Sequence, residues 1–436
     1  MSINMSYEWQ NIKTSKSLNV NDFEDFLNTI WQTKYAFSAT KKENAQQGFV
    51  QIEGNRLKAR NFVGFILYEN EWIEIYPKIF EQAENPTTVE KQNMIANLMY
   101  WLSYSKKLYF PFQKIPFEST NCENLLEVFI HLFAQHSRDL LLNMPYQSYE
   151  ETTAETAFVK GNIHFPTYFS QQFSQGKQHV FSCTYQPFVY DNGFNQLLKC
   201  TAKTLLSATQ SSENEAVLQE ILFILSEVSD KKCSAEDCRK VKLGRMFDAL
   251  QEVVEICYFF LSMQQFSGTD SSKSNFCFLF PMEIIFEDFV TAILQEKGKE
   301  QGIKVVAQAK RQAKYLANGA IFQLKPDILI PHKRIIDAKY KKLSLEKAKN
   351  YHISPADLYQ MLAYATRFGI KDIVLLYPKY RHFPAPEDLI FEIENSLSPQ
   401  KEVVTIKIIT LRIDFEPNSW AIFQTTLKTF TDLLLK

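Results

Sequence analysis

Residues 271–436 alternate between two hydrophobic periods, and this alternation limits the fold more than any other feature of the chain. In MEIIFEDFVTAILQEKGKEQG, Met282, Ile285, Phe286, Phe289, Val290, Ile293 and Leu294 recur at three- and four-residue spacing, the stripe of an amphipathic helix. Strand-like segments follow at IKVVAQ, FQLKPDILI and RIIDAKYK. A second helix is framed by Ser354 as N-cap, Pro355 at its first position, Asp357 in its first turn and Gly369 as its stop. DIVLLYP reads as a buried strand, and VTIKIITLRIDF changes parity between Ile408 and Ile409, which predicts a bulge. Helix, three strands, helix, strand describes a mixed α/β domain. The Ser-rich stretch SGTDSSKSN at 267–275 marks its start near residue 271.

Charges interrupt the apolar strands of this domain. Asp327 reads as mid-strand in LKPDILI, and Asp337 and Lys339 stand two apart in IIDAKYK, so the last two share a strand face. If the segments flanking the turn at 331–334 form a hairpin, Asp327 reaches that face as well. Carboxylates among core side chains are costly unless a cation compensates them. Two carboxylates and an ammonium suit phosphodiester hydrolysis, with the carboxylates as hard oxygen ligands for Mg²⁺ or Mn²⁺ and the lysine acting on water or phosphate. Residues 301–350 hold 12 Lys and Arg against 3 acidic residues. Lys310, Arg311, Lys314, Lys341 and Lys342 are therefore candidates for holding a DNA backbone. The plainer alternative, a surface Asp337–Lys339 ion pair beside a solvated lysine face, fits the spacing equally well.

Two neighbouring elements add polar groups. Glu287 flanks the apolar stripe of the first helix, one turn after Glu283. Gln360 and Tyr364 lie four apart on the second helix and share a face. The combination of PD at 326–327, DAK at 337–339 and QMLAY at 360–364, after a helix bearing FED at 286–288, resembles the PD-(D/E)xK nuclease superfamily in its branch with a Gln-x-x-x-Tyr motif. The fuller run IIDAKYK, SPADLYQMLAYA and DIVLLYP resembles the McrC family more narrowly. That family is the endonuclease subunit of McrBC-type, 5-methylcytosine-specific restriction systems.

Upstream, VGFILYENEWIEIYPKIF (63–80) is similar to the family's strand-plus-HPK segment, with Tyr76 where His is common. VKGNIHF (159–165) is similar to its GR-I segment, with Asn162 in place of Arg. YDNGFNQLLK (190–199) is similar to its D-x-x-x-N-x-x-x-K segment. The resemblance runs from about residue 60 to 380.

The resemblance implies a restriction-endonuclease-like domain at 271–436 in which Asp327 and Asp337 ligate Mg²⁺ or Mn²⁺. The Ala338 carbonyl would be a further ligand, Glu287 would complete or orient the shell, and Lys339, Gln360 and Tyr364 would serve catalysis. It implies double-stranded DNA as substrate and an McrB-like AAA+ GTPase ring as partner, with site choice left to the ring. No Gly-rich stretch followed by Lys-Ser/Thr occurs in the chain, consistent with nucleotide chemistry on another polypeptide.

Upstream of residue 271 the periodicity divides the chain into a β-rich stretch (1–87) and a mostly helical stretch with a short β segment (88–270). The resemblance makes the strands and turns of 49–80 the expected ring-docking surface. The net charge is −1, so any hold on DNA is local, and seven scattered cysteines do not form a disulfide framework. With neither a signal pattern nor a long apolar run, the expected location is the cytoplasm, with no membrane partner. Two other functions remain open on sequence: a stand-alone repair nuclease, and a non-catalytic GTPase-activating adaptor with vestigial nuclease residues.

Overall fold

The computed structural model describes residues 3–15, 18–35, 47–54, 56–69, 71–82, 85–112, 124–241, 243, 247–266, 274–308, 314–317, 319–386, 389–394, 402–416 and 419–436. They form two compact units. One comprises residues 1–125 together with 275–436, and the other is residues 126–274. The sequence suggested three consecutive stretches, 1–87, 88–270 and 271–436. The contacts instead join the first stretch to the last, through strand pairing that local periodicity cannot register.

That pairing builds the first sheet of the discontinuous unit. Glu71–Tyr76 lies between Ile3–Tyr7, to which it is parallel, and Phe62–Tyr68, to which it is antiparallel. Phe62–Tyr68 in turn pairs antiparallel with Ser274–Pro281. Phe62–Tyr68 is buried along its whole length, as an interior strand must be. The helix Val20–Tyr35 covers one face, with Phe23, Phe26, Leu27 and Ile30 packed on Ile66, Ile73, Ile75, Cys277 and Leu279. A small antiparallel sheet of Asn11–Ile12, Arg56–Ala59 and Val50–Glu53 lies beside it. Within the expected docking segment 49–80, the longer strands, Phe62–Tyr68 and Glu71–Tyr76, are interior strands with every residue buried.

The second sheet of this unit has six strands in the order Val306–Ala307, Ile328–Ile330, Arg334–Ala338, Asp372–Pro378, Val403–Leu411, Leu389–Glu394. Its central pairs, Arg334–Ala338 with Asp372–Pro378 and Asp372–Pro378 with Val403–Leu411, are parallel; the outer ones are antiparallel. The helix Pro355–Phe368 is the crossover between the first parallel pair, as parallel neighbours require. It buries Met361, Tyr364 and Ala365 against a cluster that includes Ile335, Ile373 and Leu375. The helix Met282–Glu300 starts directly from the end of Ser274–Pro281, which ties it to the first sheet.

The unit of residues 126–274 is mainly helical. It contains most of Leu125–Asn143 together with Gly193–Leu206, Ser212–Ile224, Ala235–Lys240 and Asp248–Met263. Asn192 caps Gly193–Leu206, accepting the Asn195 N–H at 3.1 Å. Two small sheets complete it: Thr152–Thr156, Phe181–Tyr185 and Asn162–Ile163, and Ser148–Tyr149 with Phe188–Val189. Among the described residues, no helix is long and apolar enough to cross a membrane.

Candidate active site

Asp337 is placed by the central strand Arg334–Ala338, where Ile335 and Ile336 supply the apolar flanks, and its side chain is almost fully buried. Asp327 is not mid-strand. The segment read as one strand breaks at Lys325–Pro326, and Asp327 sits in the bend that precedes Ile328–Ile330. Pro326 has no N–H to give a ladder, which accounts for the break. From that bend Asp327 Oδ2 accepts the Ala338 N–H at 2.9 Å, so the two carboxylates converge at the end of the hairpin.

Lys339 follows the strand, and its own N–H is held by the Leu376 carbonyl at 2.8 Å. Its ammonium lies 2.6 Å from Asp337 Oδ2 and donates to Gln360 Oε1 at 3.2 Å. Gln360 Nε2 donates to the Tyr364 hydroxyl at 2.9 Å, and that hydroxyl donates to the Lys325 carbonyl at 3.0 Å. A continuous polar chain therefore runs from Asp337 through Lys339, Gln360 and Tyr364 back to the bend that carries Asp327.

The electrostatics fit a site short of positive charge. Burial, then the Asp337 charge, then that of Glu287, hold the Asp327 carboxyl well above the usual carboxylate range. Burial raises Asp337 too, against the opposing pull of Lys339. Burial works against the Lys339 ammonium, but Asp337 beside it more than compensates, and its pKa rises.

Glu287 stands near enough to influence both aspartates but is ion-paired with Lys107, and Gln308 Nε2 donates to it at 3.3 Å. A cleft of about 270 Å³ opens there, lined by Lys106, Lys107, Glu287, Asp288 and Gln308 among others. Lys107 and Gln308 were not singled out from sequence, and no local pattern marks them. Asp357 was read only as a first-turn helix residue. It lies 4.0 Å from the Lys339 ammonium and 2.7 Å from that of Lys341.

The expected DNA-contacting residues divide. Lys314 is exposed on the strand Lys314–Ala317. Lys341 is engaged by Asp357, while Lys342 lies 3.8 Å from Glu81 and over the Phe383 ring. Lys310 and Arg311 lie outside the described residues.

Among the described residues no three His, Cys, Asp or Glu side chains form a ready-made metal shell. The donor set nonetheless suits a hard divalent ion. Mg²⁺ is typically held by one or two carboxylates with water and phosphate completing its shell, and two mutually repelling carboxylates are present.

A mixed α/β protein with paired carboxylates, a lysine and a Gln–Tyr relay at the end of a central sheet is the class defined so far. The family described as McrBC 5-methylcytosine restriction system component matches residues 57–378, and the chain belongs to that family. No curated protein sequence matches it. Among solved structures it is similar to a chain of the half-complex from a tetradecameric assembly of Thermococcus gammatolerans McrB AAA+ hexamers with bound McrC. The TM-score is 0.70 at 18% identity, over 99% of this chain and 100% of that one. A chain of the Thermococcus gammatolerans McrBC complex also matches, with TM-score 0.49 and 18% identity, over 67% of this chain and 87% of that one.

Proposed function

We propose that this restriction-system component is its DNA-cutting subunit, a Mg²⁺- or Mn²⁺-dependent endonuclease of the PD-(D/E)xK type, working with an AAA+ GTPase ring. The observation that carries this reading is the convergence of Asp327, Asp337 and Lys339, continued through Gln360 and Tyr364. Asp327, Asp337 and the Ala338 carbonyl would hold the metal, with Glu287 orienting the shell. When bound, the metal supplies charge to polarise the scissile phosphate and to acidify an attacking water. Lys339 orients that water and steadies negative charge on the phosphate, and it is held on line by Asp337 and Gln360. Tyr364 fixes Gln360 from the buried side of its helix. Lys314 would bear on the phosphate backbone of double-stranded DNA.

The ring partner is inferred from the likeness to a structure of McrB hexamers with bound McrC. With the strands of 62–76 buried, we assign the ring contact to the exposed aromatic residues of the 126–274 unit. Phe165, Phe169 and Phe173 form a ladder with centroids about 6 Å apart, each about half exposed. An uncovered apolar patch of this kind on a soluble protein marks an interaction surface.

The test is plasmid cleavage by the full chain with its cognate GTPase, GTP and Mg²⁺. The expected result is cleavage by the wild type and a loss of at least ~10²-fold in Asp337→Asn, with stimulation of GTP hydrolysis retained. GTPase stimulation with no cleavage by the wild type would make the chain an adaptor. Efficient site-specific cutting without the ring would make it a stand-alone nuclease.

A further inference from the structure

The Lys339 ammonium must meet Asp337 and Gln360 together, yet its residue lies beyond the end of the strand. Beyond the Leu376 carbonyl that holds its N–H, the next residue is held by a buried cluster contributed by the N-terminal part of the chain. We infer that Glu8, Lys78 and Tyr340 form a positioning device that sets the direction of Lys339. This inference rests on the nuclease reading above.

Tyr340, next to Lys339, is gripped at three points. Its hydroxyl donates to Glu8 Oε2 at 2.9 Å, its carbonyl accepts Lys78 Nζ at 3.2 Å, and the same ammonium lies 4.5 Å from the centre of its ring. Lys78 is itself fixed by its backbone N–H, which donates to Glu8 Oε2 at 2.9 Å. Glu8 is fixed by its N–H to the Tyr76 carbonyl at 3.1 Å. The ring of Phe286, one residue before Glu287, also packs on Tyr340, with centroids 5.9 Å apart. One cluster thus connects the first sheet, the helix of Glu287 and the segment of Lys339.

The arrangement is costly for mere packing. Glu8 is 2% exposed, and its Oε1 has no hydrogen-bond partner. A buried carboxylate with one oxygen unsatisfied destabilises a core that an apolar side chain would fill better. What an apolar residue could not do is fix Tyr340 at its hydroxyl while presenting Lys78 to its carbonyl. On its C-terminal side Lys339 is also tied by the Lys341 N–H, which donates to its carbonyl at 2.9 Å, and Lys341 in turn pairs with Asp357. A shift of Tyr340 would therefore swing Lys339 away from Asp337. A misplacement of about 1 Å in a catalytic group can cost on the order of 10²-fold in rate.

The experiment uses the full chain with its GTPase ring and compares Tyr340→Phe, Lys78→Met and Lys78→Arg with the wild type. Tyr340→Phe removes a single oxygen. Single-turnover cleavage at saturating DNA is expected to fall about 10- to 100-fold in Tyr340→Phe and Lys78→Met. The DNA concentration for half-saturation should stay within about twofold, and Lys78→Arg, which keeps the cation, should recover most of the rate. A second readout needs no cleavage: acetylation of Lys339 by a lysine-specific reagent, followed by mass spectrometry. Lys339 should react several-fold faster in Tyr340→Phe and Lys78→Met while exposed lysines react as before. Wild-type cleavage rates in both variants overturn the inference, as does unchanged Lys339 reactivity. If the wild type itself fails to cut, the nuclease reading falls, and the acetylation result still decides whether the cluster positions Lys339.

Discussion

At Glu8, burial pushes the carboxyl up to about 7, against the lowering influence of Lys78 and the Tyr340 hydroxyl. The same group in the unfolded chain titrates near 4.5. Below the lower value both states are protonated and the group contributes nothing to the pH dependence. Between the two values the unfolded chain releases its proton while the folded one keeps it, so stability falls as pH rises. The loss levels off above about pH 7 at ~3 kcal/mol. Urea denaturation of wild type and Glu8→Gln at pH 5 and pH 7.5 is expected to show the wild type losing ground to the variant at the higher pH. A difference that stays constant with pH would refute this.

Residues differ in how far sequence reveals them. Asp337 was legible because a charge inside an apolar strand is a local contradiction, and Lys339, just past the strand end, was legible through its spacing from Asp337. Gln360 and Tyr364 were legible through helical spacing. Glu8 was not legible, since MSINMSYEWQ gives no hint that its glutamate will meet Tyr340 from more than three hundred residues away. Lys107 was missed for the same reason: what makes it part of the site is Glu287, a partner brought close only by folding.

Among the elements, the strand Phe62–Tyr68 has little freedom. Gly64 adopts φ +134°, and a Cβ placed there would lie 1.9 Å from the Phe278 carbonyl oxygen of the paired strand. Backbone cannot give way as a side chain can, so Gly64→Ala should destabilise by at least ~3 kcal/mol or prevent folding. Gly54, at φ +59° with nothing within 4 Å, is the control. There an alanine meets only left-handed backbone strain, about 1 kcal/mol. Thermal melts of the two variants check the contrast, and similar melting temperatures would contradict it.

Element boundaries were legible where capping chemistry is local. The helix Pro355–Phe368 begins after Ser354 and stops at Gly369, φ +68°, as its sequence indicates, although the Ser354 side chain makes no capping hydrogen bond. They were not legible where tertiary pairing decides. RLKARNFVGFILYEN reads as one strand, yet Arg56–Ala59 and Phe62–Tyr68 belong to different sheets. The parity change at Ile408–Ile409 predicted a bulge, but Val403–Leu411 keeps continuous register with Asp372–Pro378. A strand paired on both edges gains more from unbroken ladders than its side-chain alternation suggests.

For the whole molecule, the proposed ring contact can be separated from the proposed cleavage. Phe169→Ser with Phe173→Ser removes two exposed rings in the 126–274 unit, remote in sequence from Asp327 and Asp337. Loss of such anchors typically costs 2 kcal/mol or more, about 30-fold in affinity. Complex formation with the GTPase ring, followed by size-exclusion chromatography, should weaken by about that factor, while Mn²⁺-supported nicking by the chain alone is unchanged. Wild-type assembly by the double variant would remove the aromatic ladder from consideration.

Strand Phe62–Tyr68 must wait for Ser274–Pro281, and the hydrogen bond between Glu69 and Asn275 at the end of that pairing spans 206 positions of sequence. At the ribosome's pace of about 5–20 residues per second, that wait is on the order of 10–40 s. The intervening segment includes almost all of the second unit, which can complete its own contacts first. The helix of Glu287 and both aspartates are translated later still. A polypeptide proposed to sever DNA thus acquires its cutting centre last, and a chain interrupted before Asp337 leaves the ribosome without one. The interleaved order of the two units is in this sense a safety catch set by the direction of synthesis.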